Sequence, residues 1–165
     1  MDSTPWLRQQ RTVRFGDTDA AGVMHFHQLL RWCHEAYEES LEHYGIPPRA
    51  IFPTPEWAHA PESPASAQTP NELPPVVALP IIHCRADFRR PLICGDALVI
   101  QLRPERRDPG CFEVVYTFTS NDLEVATGLT RHLAIVVATR QRCALPTPIN
   151  RWLEASSLGV GVRPL

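Results

Sequence analysis

The sequence predicts an α+β domain in which an antiparallel five-stranded sheet wraps around one long helix. The first observation is a helical repeat of apolar residues that starts at Phe26 and stops at Gly45. The second is a two-residue alternation of apolar and polar residues in five stretches, one before the helix and four after it. The third is a set of short turn sequences, ICGD, RRDPG and SND, between the later stretches, because such turns connect antiparallel strands.

The helix is predicted over residues 26–44. Its apolar residues recur every three or four positions, which places them on one face. Gly45 followed by Pro47 and Pro48 is a typical helix end, since glycine accepts the left-handed C-cap conformation and proline cannot continue the helix. The apolar set is Phe26, Leu29, Leu30, Cys33, Ala36, Tyr37, Leu41 and Tyr44.

A proline-rich insertion is predicted at residues 47–80 of a single domain that spans residues 1–165. This segment contains ten of the 17 prolines of the chain. Proline lacks a backbone donor, so neither a helix nor a central strand tolerates this density. We expect a long surface loop; a lid over a site is the alternative.

The strands are predicted at residues 11–15, 81–88, 97–103, 112–119 and 123–137. In the last stretch, the small residues Ala126, Gly128 and Ala134 lie opposite the larger Leu, Ile and Val residues. We expect the helix to pack closely on the small side. A single helix covers one face of a sheet, so part of the larger apolar face is expected to be buried by a second copy of the chain. The C-terminal sequence is expected to form no more than a turn of helix.

Length and composition narrow the class of protein. The chain has 165 residues and a net charge of −2, which predicts one domain and no general attraction to nucleic acid or to anionic membranes. Its five cysteines form no CxxC pair, which is typical of reduced thiols in the cytoplasm. Neither a signal peptide nor an apolar run of membrane-spanning length is evident, so we expect a soluble cytoplasmic protein without membrane insertion.

Titratable side chains are concentrated in GDTDAAGVMHFHQ, residues 16–28. Asp17 and Asp19 come just before a helix whose first N–H groups have no intrahelical partner and carry partial positive charge. Such N–H groups can polarise a carbonyl, while a carboxylate attacks that carbon or draws a proton from water. This arrangement suits hydrolysis of an acyl compound. The alternative is that an Asp caps the helix or closes a turn.

His25 and His27 raise the question of a metal site, because an HxH pair near carboxylates can bind zinc or iron. Residues two apart at a helix start diverge around its axis, and no further ligand pair follows at a convincing spacing. We therefore predict no metal. His25 is expected to hydrogen-bond a substrate or to assist proton transfer.

Basic residues cluster in two segments after the proline-rich insertion. Arg89 and Arg90 lie in DFRRPLICGD, and RPERRDPG contributes Arg103, Arg106 and Arg107. Arginine binds phosphate through two parallel hydrogen bonds, so together these residues form a candidate phosphate site. The alternative is a set of solvated turns.

VRFGDTDAAGVMHFHQLLRWCHEA resembles the acyl-CoA thioesterases of the 4-hydroxybenzoyl-CoA thioesterase type, which have the hotdog fold. CRADFRRPLICGDALVI is also similar to the second and third strands of that family. DTDAAGVMHFHQLLRWCHEAYEESL is most similar to the 1,4-dihydroxy-2-naphthoyl-CoA thioesterases of cyanobacterial phylloquinone synthesis. The resemblance implies hydrolysis of an aromatic acyl-CoA to the free acid and coenzyme A, with no cofactor besides the coenzyme A of the substrate.

The resemblance also implies roles for individual residues. Asp19 is the implied catalytic carboxylate, the N–H group near Phe26 polarises the thioester carbonyl, and Arg106 and Arg107 hold the coenzyme A nucleotide. Gly22 and Arg90 complete the expected substrate-binding set. Active sites in this family form between subunits, so a homotetramer built as a dimer of dimers is expected.

Two other functions are compatible with the same sequence. One is a broader acyl-CoA or acyl-carrier-protein thioesterase that acts on fatty chains. The other is a non-catalytic hotdog domain that binds acyl-CoA. An aromatic substrate is favoured by Phe26, Trp32 and Tyr37 near the helix start, although aromatic residues on a helix usually belong to the core.

Overall fold

The computed structural model describes residues 4–53 and 75–159. Its helices are α1 (Phe26–Tyr44), α2 (Pro48–Ile51) and α3 (Thr147–Gly159). Its strands are β1 (Arg8–Thr12), β2 (Val77–Ala78), β3 (Ile81–Phe88), β4 (Ala97–Asp108), β5 (Cys111–Ser120), β6 (Leu123–Leu133) and β7 (Ile135–Val136). Within these two ranges, no helix combines the length and the hydropathy needed to cross a membrane.

Five strands form one antiparallel sheet in the order β1-β4-β5-β6-β3. The alternation in the sequence is confirmed on β4 and β5, where Leu98, Ile100, Phe112 and Tyr116 are buried on the side that faces α1. The predicted α+β architecture, an antiparallel five-stranded sheet around a long helix, is therefore confirmed. β2 and β7 form a separate two-stranded ribbon.

Helix α1 begins and ends where the sequence predicts. His25 is its N-cap residue, and Gly45 closes the C-terminus with a φ of +101° while its N–H donates to the carbonyls of Leu41 and Glu42. Its buried face includes Trp32 and Tyr37, which belong to the core, whereas Phe26 is exposed. Of the three aromatic residues offered as substrate contacts, Trp32 and Tyr37 are thus structural.

Helix α1 packs closely on β6 because Gly128 has no side chain. A Cβ atom at Gly128 would overlap the Cys33 Sγ atom. The neighbouring positions on this face, Ala126 and Ala134, are also small and completely buried. The expectation that the helix approaches the small side of the last long strand is confirmed.

Several elements differ from the sequence expectations. The first strand is β1, and residues 15–17 form a 3-10 turn, because Asp17 accepts the Arg14 N–H there. The ends of the proline-rich insertion contain α2 and β2, while its centre, residues 54–74, and the expected loop or lid lie outside the described residues. The C-terminal segment forms the 13-residue helix α3 and not a single turn.

Helix α3 is held by buried aromatic contacts with residues far away in the sequence. The Trp152 indole packs against the rings of Tyr37 and Phe112, and its Nε1 donates to Ser40 Oγ at 3.1 Å. Trp152 is completely buried. Its helix therefore packs beside α1 on the same side of the sheet.

Strand β3 is an edge strand that pairs only with β6 within the sheet. Its apolar residues Ile82, Cys84 and Phe88 are exposed, contrary to the expectation of a buried apolar face. The register shifts between Ile81 and His83, which disturbs the alternation. The outer edge of β3 is thus left open by the strands that the structure describes.

A buried polar chain crosses the core beneath α1. Tyr116 Oη lies 3.0 Å from Thr130 Oγ1, and Thr130 Oγ1 lies 2.9 Å from His132 Nε2. The His132 ring stacks on Phe112 and contacts Tyr37. Burial lowers the pKa of His132 from its ordinary value of 6.5 to about 4, although a hydrogen bond to the Leu79 carbonyl opposes that shift. His132 is therefore neutral in the folded protein at neutral pH.

The free energy of unfolding is expected to fall as the pH is lowered from 6.5 to about 4. In that range the unfolded chain binds a proton at His132 that the folded chain excludes, and the full difference corresponds to about 3 kcal/mol. Urea unfolding of the wild type and of His132→Gln across this range measures the effect. The variant should lose most of this pH dependence. His43→Gln, which changes an exposed histidine near the end of α1, serves as control, and an equal pH dependence in wild type and His132→Gln would contradict the assignment.

Candidate active site

The site is built on the loop that joins β1 to α1. Thr18 and Met24 form an isolated antiparallel bridge, so the loop folds back on itself. Between them the Asp19 N–H donates to the Val23 carbonyl at 2.9 Å, and the Gly22 N–H donates to the Asp19 carbonyl at 3.0 Å. Gly22 has a φ of +78° with open space around its α-carbon, so glycine is favoured here by backbone conformation. Asp19 therefore stands at the start of a tight turn.

Asp19 is exposed and lines a cavity of about 400 Å³. One of its carboxylate oxygens, Oδ1, accepts the Ala21 N–H at 2.8 Å. The turn-closing role that the sequence left open for an Asp is thus present at this position. The same carboxylate also borders the cavity, so Asp19 can close the turn and still contact a molecule in the cavity.

The N-terminus of α1 meets the same cavity. Phe26 is the first residue of the helix and lines the cavity with its side chain, and its N–H lies in the first turn, where no carbonyl of the helix can accept it. His25 caps the helix: its Nδ1 accepts the His27 N–H and also contacts His27 Nδ1. His25 therefore has only Nε2 to offer a substrate.

The remaining cavity wall comes from the end of β3 and the segment after it. The Phe26 and Phe88 side chains are 73% and 41% exposed, so two aromatic rings border the opening. Arg89 forms an ion pair with Glu124. Arg90 also lines the cavity, and it makes no ion pair with any residue of the described ranges. A carboxylate, a helix N-terminus and an arginine thus share one cavity, which suits an acyl group that carries phosphate.

The sequence did not predict the contact between two polar residues beside the site, Asp17 and Gln28. Gln28 is buried on α1, and its Nε2 donates to Asp17 Oδ1 at 2.8 Å. Asp17 Oδ2 accepts the Arg14 N–H at 2.7 Å. Gln28, a polar residue on the buried face of α1, could have indicated this contact, because a buried polar group requires a hydrogen-bond partner.

The other predicted site residues lie apart from this cavity within one chain. Arg106 and Arg107 belong to β4, with Arg106 roughly 30 Å along that strand from its first residue. They form ion pairs with Glu154 at 3.5 Å and with Glu113 at 3.6 Å. Gly22 shapes the loop and is not among the residues that line the cavity. Among the described residues, no group of three or more His, Cys, Asp or Glu side chains is arranged to hold a metal ion.

Several known proteins that are similar to this chain have the same name or a closely related one. A protein from Synechococcus sp. strain CC9902, named 1,4-dihydroxy-2-naphthoyl-CoA hydrolase, is 56% identical over the whole of both chains. A protein of the same name from Prochlorococcus marinus strain MIT 9303 is 56% identical and covers 96% of this chain and 97% of its own. The crystal structure of a 1,4-dihydroxy-2-naphthoyl-CoA thioesterase from Synechocystis superposes with a TM-score of 0.72 at 28% identity, over 89% of this chain and 94% of that one.

The family profile that matches this chain extends over almost the whole described structure. It covers residues 13–153, which include the loop, α1, the long strands of the sheet and most of α3. The antiparallel sheet around α1 is the hotdog fold that the sequence resemblance implied. The chain belongs to the Thioesterase-like superfamily.

Proposed function

We propose that this protein hydrolyses an aromatic acyl-CoA thioester, 1,4-dihydroxy-2-naphthoyl-CoA, to 1,4-dihydroxy-2-naphthoate and coenzyme A. The observation that carries the proposal is the meeting of Asp19, the N-terminus of α1 and Arg90 at one cavity. The names of relatives that share more than half of their residues with this chain support the choice of substrate. A broader acyl-CoA or acyl-carrier-protein thioesterase is the second candidate function.

In the proposed reaction, the thioester carbonyl oxygen accepts a hydrogen bond from the Phe26 N–H. The positive end of the helix dipole stabilises the negative charge that develops on this oxygen. The Asp19 carboxylate, which lines the same cavity, either attacks the carbonyl carbon or activates the water that attacks it. The C–S bond breaks, the thiolate of coenzyme A leaves, and a proton from water ends on its sulfur.

Asp19 can act by two routes that differ in the first bond formed. As a general base it removes a proton from water, and the resulting hydroxide attacks the carbonyl carbon. As a nucleophile it forms an anhydride with the acyl group, which water then hydrolyses. In a single turnover in water labelled with oxygen-18, the general-base route places the label in the product acid. An unlabelled product acid together with a labelled Asp19 identifies the nucleophilic route in which water attacks the aspartyl carbonyl of the anhydride.

The proposed hydrolysis consumes only water and needs no cofactor beyond the coenzyme A of the substrate. We further propose that the reaction serves phylloquinone synthesis and takes place in the cytoplasm, as the resemblance of the loop and helix sequence implies. His25, as the cap of α1, is proposed to reach the substrate through Nε2 as a hydrogen-bond donor or proton carrier.

Arginines from two chains are proposed to bind the phosphates of coenzyme A. Arg90 lines the cavity with Asp19, and its guanidinium pairs with no carboxylate of the described residues. Arg106 and Arg107 are distant from this cavity within one chain, so they reach a bound nucleotide only from a second copy. The phosphate site therefore requires an oligomer.

The β3 edge is proposed as the surface on which two copies meet. Ile82 and Cys84 are exposed along an edge whose outer backbone groups pair with no other described strand. An exposed apolar edge of this kind is normally paired or protected. Phe88, at the end of the same strand, lines the cavity, so a second copy on this edge stands beside the site. Two such dimers form the proposed homotetramer.

Replacement of Asp19 by Asn should reduce kcat for 1,4-dihydroxy-2-naphthoyl-CoA by about 10²- to 10⁴-fold, because the amide neither accepts a proton nor attacks a carbonyl. The exposed Asp122, whose φ of +62° is compatible with asparagine, offers the matched control Asp122→Asn. Release of free thiol is measured for each variant, and equilibrium binding of coenzyme A verifies that the site is intact. Unchanged turnover by Asp19→Asn overturns the proposal, and a wild type that binds the thioester but leaves it intact identifies a non-catalytic binding domain.

Removal of the Phe88 ring should lower kcat/KM for the naphthoyl thioester by about 10-fold, since an aromatic pair contributes about 0.5–1.5 kcal/mol beyond its buried area. Phe88→Ala should affect a short aliphatic acyl-CoA much less. Phe15→Ala is the matched control, because Phe15 is 84% exposed and lies outside the cavity. Faster wild-type turnover of fatty acyl thioesters than of aromatic ones would replace the proposed substrate by the broader class.

Light scattering of the wild type should give the mass of four copies of the 18.6 kDa chain. Ile82→Glu places a charge on the β3 edge and should yield smaller assemblies with reduced turnover. Leu158→Glu is the matched control, because Leu158 is 81% exposed on α3. A monomeric and fully active wild type would refute the shared site.

A further inference from the structure

Asp17 fastens the active-site loop at three points. Its carboxylate accepts the Arg14 N–H on Oδ2 and the Gln28 amide on Oδ1. Its backbone carbonyl accepts the N–H of His25, the cap of α1, at 2.9 Å. One residue thus links the start of the loop, the end of the loop and the first turn of the helix.

Gln28 is the helix side of this link. It is the third residue of α1, and it is only 7% exposed on a face that otherwise buries mainly apolar residues. Burial of an amide is unfavourable unless it is hydrogen-bonded, and the Asp17 carboxylate supplies a charged acceptor for it. The bond is therefore a strong local constraint between the loop and α1.

The groups on which the proposed hydrolysis depends lie on either side of this constraint. Asp19 follows Asp17 by two residues, and Phe26 precedes Gln28 by two residues. We propose that Asp17 and Gln28 are positioning residues, which set the Asp19 carboxylate relative to the Phe26 N–H. This inference rests on the proposed function, because it assigns to the pair an effect on that reaction.

The proposal predicts an effect on kcat rather than on binding. Neither Asp17 nor Gln28 lines the cavity, so KM should change little in their variants. Misplacement of reacting groups by about 1 Å can reduce a rate by about 10²-fold. Gln28→Glu brings a second carboxylate against Asp17, and the repulsion should lower kcat by about 10- to 100-fold at neutral pH.

The sharpest test exchanges the two functional groups. In the double variant Asp17→Asn/Gln28→Glu, the carbonyl of the introduced asparagine still accepts the Arg14 N–H, while its amide donates to the new carboxylate. The bond is re-formed in the reverse direction with unchanged net charge, so kcat should return to within about 3-fold of the wild type. Steady-state kcat and KM and the melting temperature are measured for the wild type, both single variants and the double variant. Gln28→Met, which is neutral and of similar size, provides a second way to break the bond if Gln28→Glu fails to fold.

Two further comparisons separate positioning from general destabilisation. In an Asp19→Asn background, Gln28→Glu should not lower the residual rate further, because its effect acts through Asp19. Glu35→Gln, on the exposed side of α1, should leave kcat unchanged. Wild-type turnover that is lost in Asp19→Asn but retained in both Gln28→Glu and Gln28→Met overturns the positioning role alone. Failure of the double variant to recover also overturns it, whereas a wild type without turnover overturns the proposed function first.

Discussion

The close packing of α1 on β6 is the constraint from which the site follows. Gly128 leaves room for the Cys33 sulfur, and a Cβ atom there would require the sulfur or the helix that carries it to shift. A 19-residue helix behaves as a rigid rod about 28 Å long, so a displacement at its middle also moves its N-terminus. Burial among apolar groups raises the pKa of the Cys33 thiol, which therefore remains a neutral packing group. The packing of α1 on β6 thus contributes to the position of the Phe26 N–H.

The loop before α1 connects the N-terminus of the helix to both walls of the cavity. Met24 is buried, and its N–H donates to the Leu92 carbonyl at 2.7 Å, which ties the loop to the segment that follows β3. That segment contributes Arg90 and Leu92 to the cavity, whereas the loop contributes Asp19. A single backbone hydrogen bond therefore connects the carboxylate wall to the cationic wall. Both walls of the cavity are thus attached to the same buried residue.

The spacing of apolar residues predicted those helices and strands in which buried positions recur at regular intervals. Helix α1 and β5 were located from the spacing of their apolar residues and from the flanking cap and turn residues, because these are local signals. Helix α3 was underestimated because Trp152 finds its partners, Tyr37 and Ser40, more than a hundred residues earlier. The exposure of β3 was missed for a related reason, since a strand's place at the edge of a sheet is a property of topology. In the site, the motif located Asp19 and the helix start, but the bond between Asp17 and Gln28 required the loop to fold back.

How readily each arginine can bind phosphate depends on which carboxylate would then lose its ion-pair partner. Arg90 pairs with no carboxylate of the described residues, so phosphate binding at Arg90 breaks no ion pair among them. Release of Arg106 frees Glu154, whose side chain is 70% exposed and can be solvated by water. Release of Arg107 removes one of two cations from Glu113, whose side chain is only 8% exposed and keeps Arg131 alone. A nearly buried carboxylate that loses one of its two cations is stabilised less than before, so phosphate should engage Arg90 first, Arg106 next and Arg107 last.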